Sequence, residues 1–152
     1  MTALGFTVLV AAAALPTQGR FDLICTGSIV EALGTQATAP APWTGRLSID
    51  LGRGMAHRDE EQENLRMPPG SPGRLNIQDE TKGFGDAVTR AEAHVDRATR
   101  AYSARSSAEV GGALLSQTSI NAGCTVVAFT ALAAKDAPAP IPEPELGRPA
   151  QR

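Results

Sequence analysis

The chain has 152 residues, a formal net charge of −2 and a pI near 5.7, which sets one domain and gives no basic face for a nucleic acid. Hydrophobic residues make up 42% and charged residues 20%, as in an ordinary soluble globular protein, and no polybasic segment favours anionic lipid. Aromatics are only 4%, so the core must be built from Val, Ile, Leu and Ala, which bury less area per side chain.

Residues 1–19 read as an export signal. Ala3 to Leu15 is apolar apart from Gly5 and Thr7, has the length of a signal-peptide core, and is too short to span a bilayer comfortably. No Lys or Arg precedes it, which departs from the usual signal pattern. Thr17-Gln18-Gly19 puts small residues at −3 and −1, favouring cleavage before Arg20; Ala12-Ala13-Ala14 offers an alternative before Leu15. The same segment could instead be a folded N-terminal element or a retained anchor. Export implies a periplasmic or secreted protein with no stable membrane insertion after cleavage.

Cys25 and Cys124 are the two cysteines, and an even count behind a signal-like segment favours a disulfide over buried free thiols. The bridge would close a loop of about 100 residues, for which the chain-entropy model gives at most about 4–5 kcal/mol.

Phe21, Leu23 and Cys25 alternate as in a strand with one buried face. Gly34 to Pro42 is a Pro-rich connector. Trp43 to Leu51 is the clearest strand, with Leu47, Ile49 and Leu51 on one face and Ser48 and Asp50 on the other. His57 to Arg66 is charged and reads as a solvated loop, and Met67 to Gly73 as a turn. Leu75 and Ile77 mark a short strand, followed by a polar loop from Asp79 to Gly85. Residues 86–103 are ambiguous. Val88, Ala91, Val95, Ala98 and Tyr102 keep helical spacing, yet the segment can also fold as a hairpin. Gly111 to Ser119 and Ile120 to Phe129 read as two further strands. Pro138, Pro140, Pro142 and Pro144 make residues 134–152 a disordered Pro-rich tail.

Phe21-Asp22-Leu23-Ile24-Cys25-Thr26-Gly27, Leu47-Ser48-Ile49-Asp50-Leu51, Leu75-Asn76-Ile77, Val95-Asp96-Arg97-Ala98-Thr99, and Gly123-Cys124 with Phe129 together resemble a group of small uncharacterised exported proteins of alphaproteobacteria. The likeness is patchy, covers about residues 21–130, and implies no activity. It implies a hairpin turn after Val95, which tips the ambiguous segment towards strands. Arg100 stands where that turn would carry Gly.

The chemistry-bearing residues are few. His57-Arg58-Asp59 and His94-Val95-Asp96 each place an imidazole and a carboxylate on one side of an extended segment. His57, Asp59, His94 and Asp96, if brought together, could hold a metal and support a metal-dependent or hydrolase-like enzyme. The commoner outcome for such pairs is unrelated surface histidines. Glu60, Glu61 and Glu63 match no Ca²⁺ loop. No Gly-x-Ser-x-Gly elbow, dinucleotide fingerprint or phosphate-binding loop is present, so no catalytic residue and no cofactor is assigned. Trp43 reads as a cap on the core.

The sequence therefore predicts a mainly β domain over residues 20–133. It is a small open barrel or sandwich of five to seven short antiparallel strands with at most one helix, and the disulfide clamps its ends together. An α+β fold with a helix over 86–103 is the alternative. Its core is Leu23, Leu47, Ile49, Leu51, Leu75, Ile77, Val95, Val126 and Phe129. The function this suggests is a non-catalytic binding or interaction module of the bacterial envelope, meeting a protein partner through a sheet edge or the Pro-rich tail.

Overall fold

The computed structural model describes residues 13–59, 64–130 and 132. The tail, the acidic Glu60, Glu61 and Glu63, and most of the apolar leader lie outside them. Nine strands follow one another: β1 (Arg20–Leu33), β2 (Gln36–Ala37), β3 (Ala41–Asp50), β4 (Met55–Arg58), β5 (Leu65–Arg66), β6 (Arg74–Phe84), β7 (Ala87–Asp96), β8 (Ala101–Val110) and β9 (Ala113–Val127). Among the described residues there is no helix, and so none long and apolar enough to cross a membrane.

All strand pairings are antiparallel, in the order β5-β4-β3-β1-β9-β8-β7-β6, with β2 added beside the end of β1. The outer members β5 and β6 approach each other, so the sheet curls into a nearly closed barrel. The predicted fold class is correct, and the strand number is higher than five to seven. The additional strands β2, β4 and β5 are two to four residues long and carry too little pattern to be read. The two strands expected over 111–129 are one, β9. The polar stretch after Gln78 is not a loop but the outer half of β6.

The helix alternative over 86–103 does not form. β7 and β8 occupy that segment and find strand partners on both sides, β6 and β9. These pairings satisfy the backbone while Ala93, Val95, Tyr102 and Ala104 all turn into the core, and this outweighs local helix propensity. The turn between them is built by Asp96, whose Oδ1 accepts from the Ala98 N–H (3.0 Å), the Thr99 N–H (2.7 Å) and the Thr99 hydroxyl (2.9 Å). Arg100 closes the turn in the left-handed region, at φ 60°, where the resemblance implied Gly.

Alternation decides what lies inside. Phe21, Leu23 and Cys25 of β1 meet Leu47 and Ile49 of β3, Ala56 of β4, Leu75 and Ile77 of β6, and Ile120 and Cys124 of β9. Each large aliphatic side chain in that cluster contributes about 1.5–3 kcal/mol by leaving water. Three expected core residues are only partly buried. Leu51 and Val126 sit at strand ends against the cluster. Phe129 lies past β9, with the Arg20 guanidinium 5.9 Å from its ring centroid.

Trp43 and Tyr102 stack at 5.7 Å with their planes 20° apart. They share one cross-strand row with Gly27 and Ala122 between them, so small residues leave room for two rings. Trp43 packs on the core, as the sequence suggested. Gly27 has a second constraint: a Cβ there would stand 2.0 Å from the Asn121 carbonyl oxygen, so β1 and β9 can approach only without a side chain.

The barrel end near the β7–β8 turn is sealed by residues upstream of β1. Leu15 is 4% exposed and belongs to the core. Its N–H donates to the Arg97 carbonyl (2.9 Å), and the Arg97 guanidinium donates to the Pro16 carbonyl (3.2 Å). Leu51 N–H then donates to Gly19 (3.0 Å).

Candidate functional site

Cys25 and Cys124 are bonded, with Cα atoms 4.0 Å apart, directly opposite each other on β1 and β9. Both are buried, so the bridge is part of the core and not a reactive thiol pair. The first and last long strands are neighbours in the sheet, as the sequence argument required.

The two histidine pairs are not brought together. His57 lies on β4 opposite Ser48, in the row that faces away from the core. His94 lies on β7 between Asn76 and Ser103, also facing away from the core, with β5 and β6 between the two strands across the barrel closure and β3, β1, β9 and β8 between them the other way. Asp96 is used up in its turn. Asp59 starts the segment after β4, its N–H donating to Arg46. Among the described residues no three His, Cys, Asp or Glu side chains cluster to hold a metal. The shared site that the spacing allowed fails because an outward-facing row on a barrel diverges from the outward rows of other strands. Partial burial and the nearby Arg74 lower the His94 pKa below its usual 6.5, against the pull of Glu92 and Asp96.

Sequence reasoning missed a buried charge cluster. Asp22, Ser48 and Asp50 face away from the barrel core yet are almost fully inaccessible. Asp22 Oδ2 receives the Arg46 Nε–H (2.9 Å) and a second Arg46 N–H, together with the Thr130 N–H (3.2 Å) and hydroxyl (2.7 Å). Burial pushes the Asp22 pKa up, but the hydrogen bonds from Thr130, Arg46 and Ser48 outweigh it and hold the carboxyl below 3.8. Arg20 pairs with Asp50 at 2.9 Å on the same side of the sheet. Every charge is matched, so the cluster fastens the segment after β9 onto β1 and β3.

The opposite end of the barrel is different. The hairpin β1–β2, the hairpin β6–β7 and the hairpin β8–β9 all turn there, beyond the packed core. The Gly34 N–H donates to Leu115 (2.8 Å) and the Gly111 N–H to Asp86 (3.0 Å), which ties the three turns into one rim. Leu33, Phe84, Val110, Leu114 and Leu115 sit on this rim, and they are the exposed large hydrophobic residues among those described. Phe84 is 91% exposed and Leu33 74%. Glycines at φ 64° (Gly85) and 57° (Gly111) make the turns tight enough to present these side chains outward.

Beside the rim, the outward faces of β6 to β9 form an open groove of about 410 Å³, lined among others by Arg90, Glu92, Arg105, Glu109, Leu114 and Gln117. Within it Arg90 pairs with Glu109 (2.8 Å), and the Arg105 guanidinium donates to the Gln117 side-chain oxygen (2.6 Å). Leu114 belongs to both groove and rim, so a polar trough leads to an apolar edge. Such a surface can hold a partner by apolar contact and hydrogen bonds. In the sequence, only the Gly-rich turns hinted at this rim. The apolar residues are scattered over three hairpins and become neighbours only through the sheet order.

This chain matches no family model, no curated protein and no solved structure.

Proposed function

We propose that the protein is a non-catalytic binding module of the bacterial envelope, exported to the periplasm or beyond, and that it meets a protein partner through the rim formed by Leu33, Phe84, Val110, Leu114 and Leu115. The observation that carries this reading is the gathering of these five exposed apolar side chains at one end of a domain whose other large hydrophobics, among the described residues, are buried or half-buried. Exposed apolar side chains at one end of a domain, beside a polar groove, supply what a protein contact uses, apolar area with a hydrogen-bonding margin. The signal-like leader, the disulfide and the resemblance to small exported alphaproteobacterial proteins support the envelope as its compartment.

The test places a photo-crosslinking side chain at Phe84, at Leu33 or at Ala98, the last exposed on the opposite end. Cells are irradiated, fractionated and probed for adducts. The proposal expects the protein in the envelope fraction and one adduct of defined mass from Phe84 and Leu33, with none from Ala98. Absence of any adduct at the rim, or the same spread of adducts from both ends, overturns it.

A further inference from the structure

We infer that the export leader is removed between Ala14 and Leu15, so that the mature protein begins with the leucine that seals the barrel; this rests on the export reading above. The residues around the sequence-preferred cut before Arg20 argue against it. Leu15 is a core residue, 4% exposed, packed with the cluster that includes Phe21, Leu23 and Ile49. Its N–H holds the Arg97 carbonyl, the Pro16 carbonyl holds the Arg97 guanidinium, and the Gly19 carbonyl holds the Leu51 N–H. Cutting before Arg20 discards all three contacts and the side chain that closes this end of the barrel. It would also fall beside the start of β1, whose first pair, Arg20 with Asp50, is an ion pair.

Cutting before Leu15 discards none of this. Ala13 and Ala14 are exposed, and Ala12 and Ala14 supply the small residues at −3 and −1 that a membrane-bound export peptidase requires. In the reaction, water adds across the Ala14–Leu15 amide. The carbonyl carbon leaves as the Ala14 carboxylate and the nitrogen becomes the Leu15 α-ammonium. That nitrogen already donates to Arg97, so the new charge gains an acceptor in place, with a stronger bond than the neutral amide made. The new terminus is thus built into the fold it completes.

The full chain, expressed in an exporting bacterium and recovered from the envelope fraction, is measured by intact mass and N-terminal sequencing. A chain starting at Leu15 is the expected result. A chain starting at Arg20 overturns this inference and leaves the export reading standing, whereas an uncut chain starting at Met1 in the cytosol overturns the export reading itself. Two further measurements bind the result to the structure. Ala14→Arg is expected to leave the precursor uncut, and its normal processing would overturn the inference. Protein made to start at Leu15 is expected to melt at a higher temperature than protein made to start at Arg20, and equal melting would remove the physical reason given for the site.

Discussion

Cys25 on β1 and Cys124 on β9 stand directly opposite each other, Cα atoms 4.0 Å apart, although 99 positions separate them in the chain. The bond therefore restrains nearly the whole barrel in the unfolded state while asking no long reach of the folded one. Replacing both cysteines by Ala is expected to cost about 2–4 kcal/mol, the usual range, because residual unfolded structure trims the entropic maximum. Urea unfolding of the oxidised protein, the reduced protein and the double variant checks this. The last two should agree, and a variant as stable as the oxidised protein would contradict the argument.

Arg100 offers a gain in stability. At φ 60° a side chain with a Cβ is strained by about 1–2 kcal/mol, and Gly is not. Gly costs part of that back through its greater freedom when unfolded. Arg100→Gly should therefore stabilise the protein by about 0.5–1 kcal/mol, a rise of about 3 °C in Tm. Arg100→Ala keeps the strain and should give no rise. Thermal unfolding of the two variants separates backbone strain from loss of the guanidinium, and a lower Tm for the Gly variant would show that the Arg side chain matters more than its φ.

Asp22 ties stability to pH. Its carboxyl is held below 3.8 in the folded protein, so the ionised form is the favoured one there. The stabilisation is thus complete above the unfolded carboxyl value of about 3.9 and is lost as pH falls through the lower folded value. Asp22→Asn keeps one neutral acceptor oxygen but removes the charge that faces the Arg46 guanidinium, and is expected to cost about 3 kcal/mol at pH 7. The gap between the two proteins should shrink as unfolding is measured at successively lower pH below 4. A gap that stays constant to pH 2 would mean that Asp22 contributes by packing and not by charge.

The parts of the molecule that were legible in sequence are those where one face of a strand meets the core. Leu47 with Ile49, and Leu75 with Ile77, alternate because the row between them faces out. The outer half of β6, Asp79 to Phe84, carries no such pattern because it runs past the core and is exposed on both faces. Asp22 reads as an ordinary outward residue, since its burial depends on Thr130, 108 positions away. Leu15 was hidden for another reason. It ends an apolar run already explained as a leader, and composition alone cannot say where the leader stops and the core begins. The rim was illegible because its members sit at the ends of four different strands, past the core, where no buried face imposes an alternation.

That rim makes a prediction in which function and stability part company. Phe84 is 91% exposed, so Phe84→Ser removes almost no buried area and should change stability by less than about 0.5 kcal/mol. Tyr102, 1% exposed and stacked on Trp43, is the contrast, and Tyr102→Ala should cost about 3–5 kcal/mol. If the rim is a contact surface, combining Phe84→Ser with Leu115→Ser should abolish the photo-adduct formed from Leu33 while the melting curve stays where it was. The same double variant should elute earlier from a hydrophobic-interaction column, because the apolar patch it loses is the one facing water. A fall in Tm of several degrees would show instead that Phe84 and Leu115 hold the hairpins together. The rim would then be a structural feature of this domain, and the partner surface would have to be sought elsewhere on the barrel.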